Sequence, residues 1–381
     1  MIDLSSFPLQ STAAQLCIRH QGQILTDQFF SSEQLRTCNV QPSNEVLLGD
    51  KVPKKNGHLL PATRYPLSAN TPFLTFSVSK AFTACAILHL LEQGKIELDA
   101  PVATYWPRFA YGGKQTATIR HALTHQAGVP APHLNRQVLL WPFWNLVTRD
   151  LARTKAIYPP GTQTAYHLVN FGFILGEVVR RVSGLPIDQY LQEHFFTPLG
   201  LQNTWMRIPK SELQRSPKVF PASADMRTNA TLFNLPSIRR ALIPAAGLHS
   251  TAHDLATFFQ MLLDGGSANG HTFLQPETIA LATSSQNEGY DAYVHYDMNW
   301  GFGFIIGGGS FRQGVDPTKL TLGYGSSAAP FSAMGMGTCI VWADRKEQLV
   351  VAFTCNGMLG DEGVHQRWAG ISNAAWDALR G

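Results

Sequence analysis

Apolar and polar positions follow two different periods along this chain. Near the start, Ala14–His20 and residues 24–30 are strand-like runs around Gln21-Gly22-Gln23, which predicts a β-hairpin. Residues 31–72 are polar and broken by prolines, which predicts loop with short strands. From Ser77 the period lengthens. Phe82, Ala86, Leu90 and Leu91 fall on one stripe of a predicted helix that stops at Gly94. Residues 118–126 predict a short helix, and 167–183 a longer one ended by Gly184-Leu185-Pro186. Ser250 and Thr251 are cap candidates for a helix carrying Leu255, Phe258, Phe259, Leu262 and Leu263, stopped by Gly265-Gly266. Residues 336–343 and 349–353 return to a β pattern around a charged turn at 344–348. Residues 363–379 then align Trp368, Ile371, Ala375 and Leu379 on one helix face. Strands therefore occupy both ends and helices the middle.

Composition narrows the class. At about 150 residues per domain, 381 residues suggest two to three domains. Charged residues make up 15% against a usual ~25%, and 44% are hydrophobic, so extended disorder is excluded. The net charge is +4, but no Lys/Arg block exists. The densest cluster, Lys51-Val52-Pro53-Lys54-Lys55, reads as a loop, and no nucleic-acid partner is expected. The five cysteines (17, 38, 85, 339 and 355) are odd in number and form no Cys-x-x-Cys pair, so neither a disulfide framework nor a zinc ribbon is expected. Cys85, Cys339 and Cys355 lie in apolar runs and read as buried thiols. Residues 1–7 lack a basic and apolar leader pattern, and no apolar run reaches the ~18 residues of a membrane span. A cytoplasmic protein with no membrane partner is the expectation.

The chemistry starts at Ser77-Val78-Ser79-Lys80, where Lys80 is the only lysine with a serine three positions earlier. On a helix, positions i and i+3 face the same way, so the Lys80 amine can reach the Ser77 hydroxyl. At a first helical turn the serine N–H is unpaired and the helix dipole is positive, which suits a developing oxyanion. A serine beside an amine that manages its proton is an activated nucleophile. Alone, this motif also fits a helix cap with a solvated lysine.

The run Thr71-Pro72-Phe73-Leu74-Thr75-Phe76-Ser77-Val78-Ser79-Lys80-Ala81-Phe82-Thr83-Ala84 resembles the serine β-lactamase and penicillin-binding-protein superfamily. Within it, the class C-like branch that includes family VIII carboxylesterases is nearest. Further blocks follow in family order. They are Leu123-Thr124-His125-Gln126-Ala127-Gly128-Val129-Pro130, Pro160-Gly161-Thr162 with Tyr166-His167-Leu168, and Leu175-Gly176-Glu177 through Pro198-Leu199-Gly200-Leu201. Pro244-Ala245-Ala246-Gly247-Leu248 with Ser250-Thr251-Ala252-His253-Asp254-Leu255 completes the set. The resemblance covers roughly residues 60–360. It implies that Tyr166 is the second catalytic motif residue, sharing a proton with Lys80. A phenol has a pKa near 10, and an adjacent ammonium is expected to lower it.

The resemblance also implies a third motif on an edge strand beside the nucleophile. Phe331-Ser332-Ala333-Met334-Gly335-Met336-Gly337 matches by position. Ala333 stands where the family has Lys, His or Trp, and Gly335 is retained, allowing close backbone approach to substrate. The Met336 N–H is expected to complete an oxyanion hole with the Ser77 N–H, because a backbone donor needs no particular side chain. The group that would bind a β-lactam carboxylate is lost. Leu168 replaces the family's asparagine, with Asn170 as a nearby substitute, and this points away from β-lactams and peptides towards esters. Ser332 reads as a strand residue.

Trp141, Pro142, Phe143 and Trp144 form an aromatic cluster, read either as core or as the wall of an apolar acyl pocket. No Gly-x-Ser-x-Gly elbow exists, which disfavours an α/β-hydrolase. His121 and His125 have i,i+4 spacing but no glutamate after His121, so no metal site is expected. Gly307-Gly308-Gly309-Ser310 lacks phosphate-loop spacing and reads as a loop. The expected fold is α+β and β-lactamase-like: an antiparallel sheet flanked by helices (residues 1–100 and 246–381) with an inserted, mainly helical lobe (101–245). The expected activity is cofactor-free hydrolysis of a small carboxylic ester. The alternatives are transfer of the acyl group to an alcohol or amine, a β-lactamase or D-aminopeptidase type of amide hydrolysis, and a non-catalytic scaffold.

Overall fold

The computed structural model describes residues 11, 13–30, 67–130, 138–308 and 319–380. The cluster at 51–55, Cys38, residues 1–7, most of the predicted 31–72 loop and Gly309-Ser310 lie outside them.

The expected hairpin is present as β1 (Ala14–His20) and β2 (Gln23–Phe30). Its turn places Gln21 at φ +50° and Gly22 at φ +77°, the positive-φ pair that matches strand twist in a two-residue loop. Six more strands complete a sheet: β3 (Asn287–Asp291), β4 (Tyr296–Trp300), β5 (Ile305–Ile306), β6 (Phe331–Gly335), β7 (Cys339–Asp344) and β8 (Leu349–Cys355). The spatial order is β2-β1-β8-β7-β6-β5-β4-β3, antiparallel throughout. β1 pairs along its full length with β8, Ala14 opposite Cys355 and His20 opposite Leu349. The predicted 336–343 strand begins only at Cys339, because residues 336–338 form the turn out of β6.

One expectation fails here. β6, which carries the third motif, is not an edge strand. β5 pairs with it through Ile305–Ser332 and Ile306–Phe331, and the β3–β4 hairpin extends the sheet beyond. Ser332 is held in that pairing, with Oγ donating to the Ile305 carbonyl at 3.3 Å, as expected of a strand residue.

Every residue of β7 and β8 is buried. Strand side chains alternate between faces, so these strands are almost wholly apolar, Asp344 and Thr354 apart, because both faces are covered. On one face Cys17, Val341, Val350 and Ala352 join the core formed with α1 (Ser79–Glu92) and the helix Ala252–Leu263. Later helices include α2 (Trp144–Arg153), α3 (Asn170–Ser183), α4 (Arg227–Phe233) and α5 (Ala252–Leu263). On the other face Ile18, Ile340, Trp342, Val351 and Phe353 pack against Trp368, Ile371, Ala375 and Trp376 of α6 (Asp361–Arg380). The Trp342 and Trp376 rings stack 5.3 Å apart.

α1 is buried over nearly its whole surface rather than along the predicted stripe. A helix apolar all round belongs inside a core, and Phe82 stacks on Phe258 of α5 at 3.9 Å. Gly94 and Gly184 take the positive φ (+65° and +79°) that ends α1 and α3. Thr251 caps α5, its side chain accepting the Asp254 N–H at 3.1 Å. Cys17, Cys85, Cys339 and Cys355 are free and buried. Among the described residues no helix is long and apolar enough to cross a membrane.

Candidate active site

Ser77 lies in the turn just before α1. It is half-buried, while Phe76, Val78, Ser79 and Lys80 around it are buried. Phe76 has φ +48°, a conformation disfavoured for an aromatic residue, so its surroundings must enforce it. Ser79 Oγ donates to the Phe76 carbonyl (2.5 Å) and accepts from the Leu248 N–H (3.0 Å). The Thr75 N–H and hydroxyl both donate to the Leu248 carbonyl (2.8 and 3.0 Å). Thr83 Oγ1 donates to the Pro244 carbonyl at 2.6 Å. The 244–248 block therefore splints the turn that presents Ser77.

The Ser-x-x-Lys spacing brings Lys80 Nζ within 3.1 Å of Ser77 Oγ. The same nitrogen donates to the carbonyls of Leu168 (2.7 Å) and Ala245 (3.2 Å). A carbonyl only accepts, whereas a hydroxyl donates or accepts. Nζ donates to Ser77 Oγ as well as to the two carbonyls; once neutral, it keeps two N–H bonds on the carbonyls and can turn its lone pair to the Ser77 O–H. Burial supports that form, holding Lys80 well below the usual lysine range. Leu168 lacks the amide of the family's asparagine, yet its main chain still anchors the lysine. Asn170 does not substitute: its Nδ2 donates to the Val129 carbonyl at 2.8 Å, and it does not line the cavity beside Ser77.

Tyr166 is hydrogen-bonded through its hydroxyl to Ser77. The expected lowering of its pKa is reversed. Burial pushes the phenol up, the Ser77 bond lowers it only in part, and the Asp291 charge raises it further. Lys80 Nζ sits over the ring face, 4.5 Å from the centroid, and not beside the oxygen. Tyr166 is therefore a neutral phenol. Asp291 Oδ1 accepts the Tyr166 N–H at 3.0 Å, and its Oδ2 accepts the Trp300 indole N–H at 3.2 Å. Trp300 in turn stacks on the Tyr166 ring, 5.5 Å away and 13° from parallel. Neither Asp291 nor Trp300 stands out in the sequence, because neither lies in a motif. His125, at φ +63°, has left the helix that holds His121. Its Nδ1 accepts the His167 N–H (3.1 Å) and its ring packs on Tyr166, while His121 Nδ1 caps Thr118 N–H (3.3 Å). The two histidines do not share a face.

Met336 follows β6 at φ +24° and borders the same small cavity as Ser77. Among the described residues, neither the Ser77 nor the Met336 N–H donates to a backbone carbonyl. Gly335 has a different reason from the one its motif suggests. A Cβ there would lie 2.0 Å from the Thr75 carbonyl and 3.2 Å from Phe76 Cβ, so the glycine lets β6 close on the Ser77 turn rather than on substrate. Ala333 is buried (4% exposed) and does not line the cavity.

The cavity has a volume of about 60 Å³. Phe76, Trp141, Leu168, Leu232, Phe233 and Met336 wall it, and Asn229 is its polar residue besides Ser77. No charged residue lines it among those described. Trp144 does not reach it: its indole N–H donates to Glu177 at 2.8 Å and its ring packs on Phe173. Asn229, Leu232 and Phe233, on one face of α4, were missed in the sequence. Their i, i+3, i+4 spacing was the available signal.

A family model described as Beta-lactamase matches residues 9–375. Esterase/beta-lactamase LipL of Mycobacterium tuberculosis is 26% identical over 330 residues, covering 77% of this chain and 71% of LipL. A putative D-alanyl-D-alanine carboxypeptidase of Escherichia coli K12 is 25% identical over 296 residues; the match takes in 70% of this chain but only 62% of that protein. The solved structure of a family VIII carboxylesterase superposes with a TM-score of 0.77 at 25% identity, over 97% of this chain and 93% of the other.

Proposed function

Because the chain belongs to the beta-lactamase family of serine hydrolases, we propose that it cleaves small carboxylic esters through an acyl-enzyme on Ser77. The observation that carries this reading is the setting of Lys80, whose Nζ is held by two carbonyl acceptors 3.1 Å from Ser77 Oγ. In this reading Lys80 Nζ takes the Ser77 proton as Oγ attacks the ester carbonyl. The oxyanion receives the Ser77 and Met336 N–H groups. Lys80 then returns the proton to the departing alkoxide, to which the neutral Tyr166 hydroxyl beside Ser77 offers a hydrogen bond, leaving an acyl-Ser77 ester and a free alcohol. Water then attacks that ester with the same proton path reversed, releasing the acid and restoring the Ser77 hydroxyl.

The preference for esters is supported by the uncharged, largely apolar cavity and by Ala333 and Leu168, which offer no side-chain partner to a carboxylate or an amide. Residues 101–245 would supply Tyr166, Leu168 and Trp141, facing Ser77 and Met336 from 1–100 and 246–381. The buried free thiols fit a reducing, cytoplasmic setting. Intact-mass analysis during turnover of a p-nitrophenyl ester tests the proposal. An acyl adduct on Ser77, absent in Ser77→Ala together with turnover, is expected; unchanged turnover by Ser77→Ala overturns it.

The apolar cavity wall favours one second reading, acyl transfer, because it restricts water beside the acyl-enzyme. Product analysis with a competing alcohol separates the two. Free acid alone at high alcohol concentration rules out transfer.

A further inference from the structure

The Met336 N–H is presented by a turn whose hydrogen bonds run end to end. Thr338 N–H donates to the Gly335 carbonyl at 2.8 Å, and Thr338 Oγ1 donates to the same oxygen at 3.3 Å. The Gly335 carbonyl and the Met336 N–H belong to one peptide group and point in opposite directions across it. Holding the carbonyl on Thr338 therefore aims the N–H away from Thr338, on the side of the cavity that Met336 borders.

The next peptide group repeats the arrangement. The Thr338 N–H shares its peptide with the Gly337 carbonyl, and that carbonyl accepts from Arg367 Nη1 at 2.5 Å. The same nitrogen donates to the Gly357 carbonyl at 2.7 Å and contacts Cys355 Sγ at 3.4 Å. Arg367 is fully buried on α6, on the opposite side of the sheet from α1. Gly337, at φ +72°, also backs onto Leu359, where a Cβ would lie 2.3 Å from the Leu359 carbonyl. Met336, a non-glycine residue at φ +24°, sits in a conformation that its surroundings must support.

We propose that Arg367 is a positioning residue for the oxyanion donor. Its guanidinium orients and polarises the Met336 N–H through two consecutive peptide groups, Gly337–Thr338 and Gly335–Met336. A permanent cation sits at one end of this chain and the developing negative charge at the other. Hydrogen bonds in such a chain strengthen one another, most of all in a buried setting. The inference rests on the proposed use of Met336 N–H towards an oxyanion at Ser77.

Three measurements on Arg367→Met and Arg367→Lys test it. With p-nitrophenyl acetate, R367M is expected to lose about tenfold in kcat with KM changed by less than about threefold. That is a fraction of the ~100–1,000-fold seen when an oxyanion donor is removed outright. Inhibition by phenylboronic acid, whose Ser77 adduct is tetrahedral, is expected to weaken by the same factor. The infrared carbonyl band of an isotope-labelled acyl-Ser77 is expected to move to higher frequency, because the donor polarises it less. R367K keeps the cation and is expected to recover most of each loss. An R367M protein that is folded, or merely less stable, but keeps the wild-type carbonyl frequency and boronate affinity overturns the proposal. If R367M does not fold, R367K decides: wild-type-like frequency and affinity support the relay, and a tenfold loss in a folded R367K overturns it. Absence of any acyl-Ser77 in the wild-type enzyme would instead overturn the esterase reading itself.

Discussion

Two walls of the site are built by different means. On the α1 side, side chains hold the chemistry: Lys80 and Tyr166 both reach Ser77, and their identities decide what the wall can do. On the β6 side the chemistry is backbone. Met336 contributes an N–H, Gly335 an absence of Cβ, and Arg367 reaches the turn only through carbonyls. The first wall is sensitive to residue identity. The second tolerates many side chains and depends on how closely two backbones approach.

Substitutions from large to small effect sharpen that contrast. Ser77→Ala should reduce kcat/KM for a p-nitrophenyl ester by about 10,000-fold or more, since the nucleophile has no replacement within reach. Lys80→Met should lose about 1,000-fold, and Lys80→Arg should not restore it, because a guanidinium does not release its proton near neutral pH. Lys80 also sets the pH profile. Burial lowers its pKa, so the free amine, and with it kcat/KM, should rise along a limb well below pH 10.5. A limb centred at or above pH 10.5 in the wild type would contradict the assignment.

On the other wall, Gly335→Ala should cost about 1–3 kcal/mol of stability and lower kcat by displacing the turn, because its methyl group meets the Thr75 carbonyl. Thermal melts and kcat on one preparation read both effects. Met336→Ala should stay within about threefold of wild type in kcat, as it keeps the N–H. A large loss there would erase the distinction between the walls.

A stability test is independent of turnover. His167 and His249 are fully buried, and burial lowers them to about 4 and about 3. In the unfolded chain they bind protons near pH 6.5, so the unfolded state is protonated first as pH falls. Stability should be full above pH 6.5 and should fall between pH 6.5 and 4, visible as a lower Tm at pH 5 than at pH 7.5. Replacing His167 with Gln should flatten that drop.

The same division explains what the sequence disclosed. Ser77, Lys80 and Tyr166 were legible because their chemistry resides in side chains at fixed spacing within ordered blocks. Both terminal hairpins, and the helices stopped at Gly94 and Gly184, were legible from period and glycine punctuation. The direction of the Tyr166 shift was not, because it depends on burial and on Asp291, 125 residues away in the chain. Trp144 was placed in the pocket from its neighbours, yet Glu177 captures its indole N–H. The interior position of β6 depends on β5, only two residues long, which no periodicity reveals. Arg367 lies in a helix with an ordinary amphipathic pattern, and only the packing of α6 against the β6–β7 turn gives it a partner there.

The pairing of β1 with β8 has a consequence for how the protein is made. Residues 14–20 find their second sheet partner only after residues 349–355 have been synthesised. At ribosomal speeds of roughly 5–20 residues per second, β1 waits on the order of tens of seconds for that partner. During that time the hairpin of β1 and β2 has an open edge, and Leu16 and Ile18 lack the strands that cover them. The interval in which the nascent chain most needs a chaperone is thus fixed by topology and ends when β8 emerges. A stop codon anywhere before residue 349 would leave β1 paired with β2 alone and cut the hairpin off from the rest of the sheet.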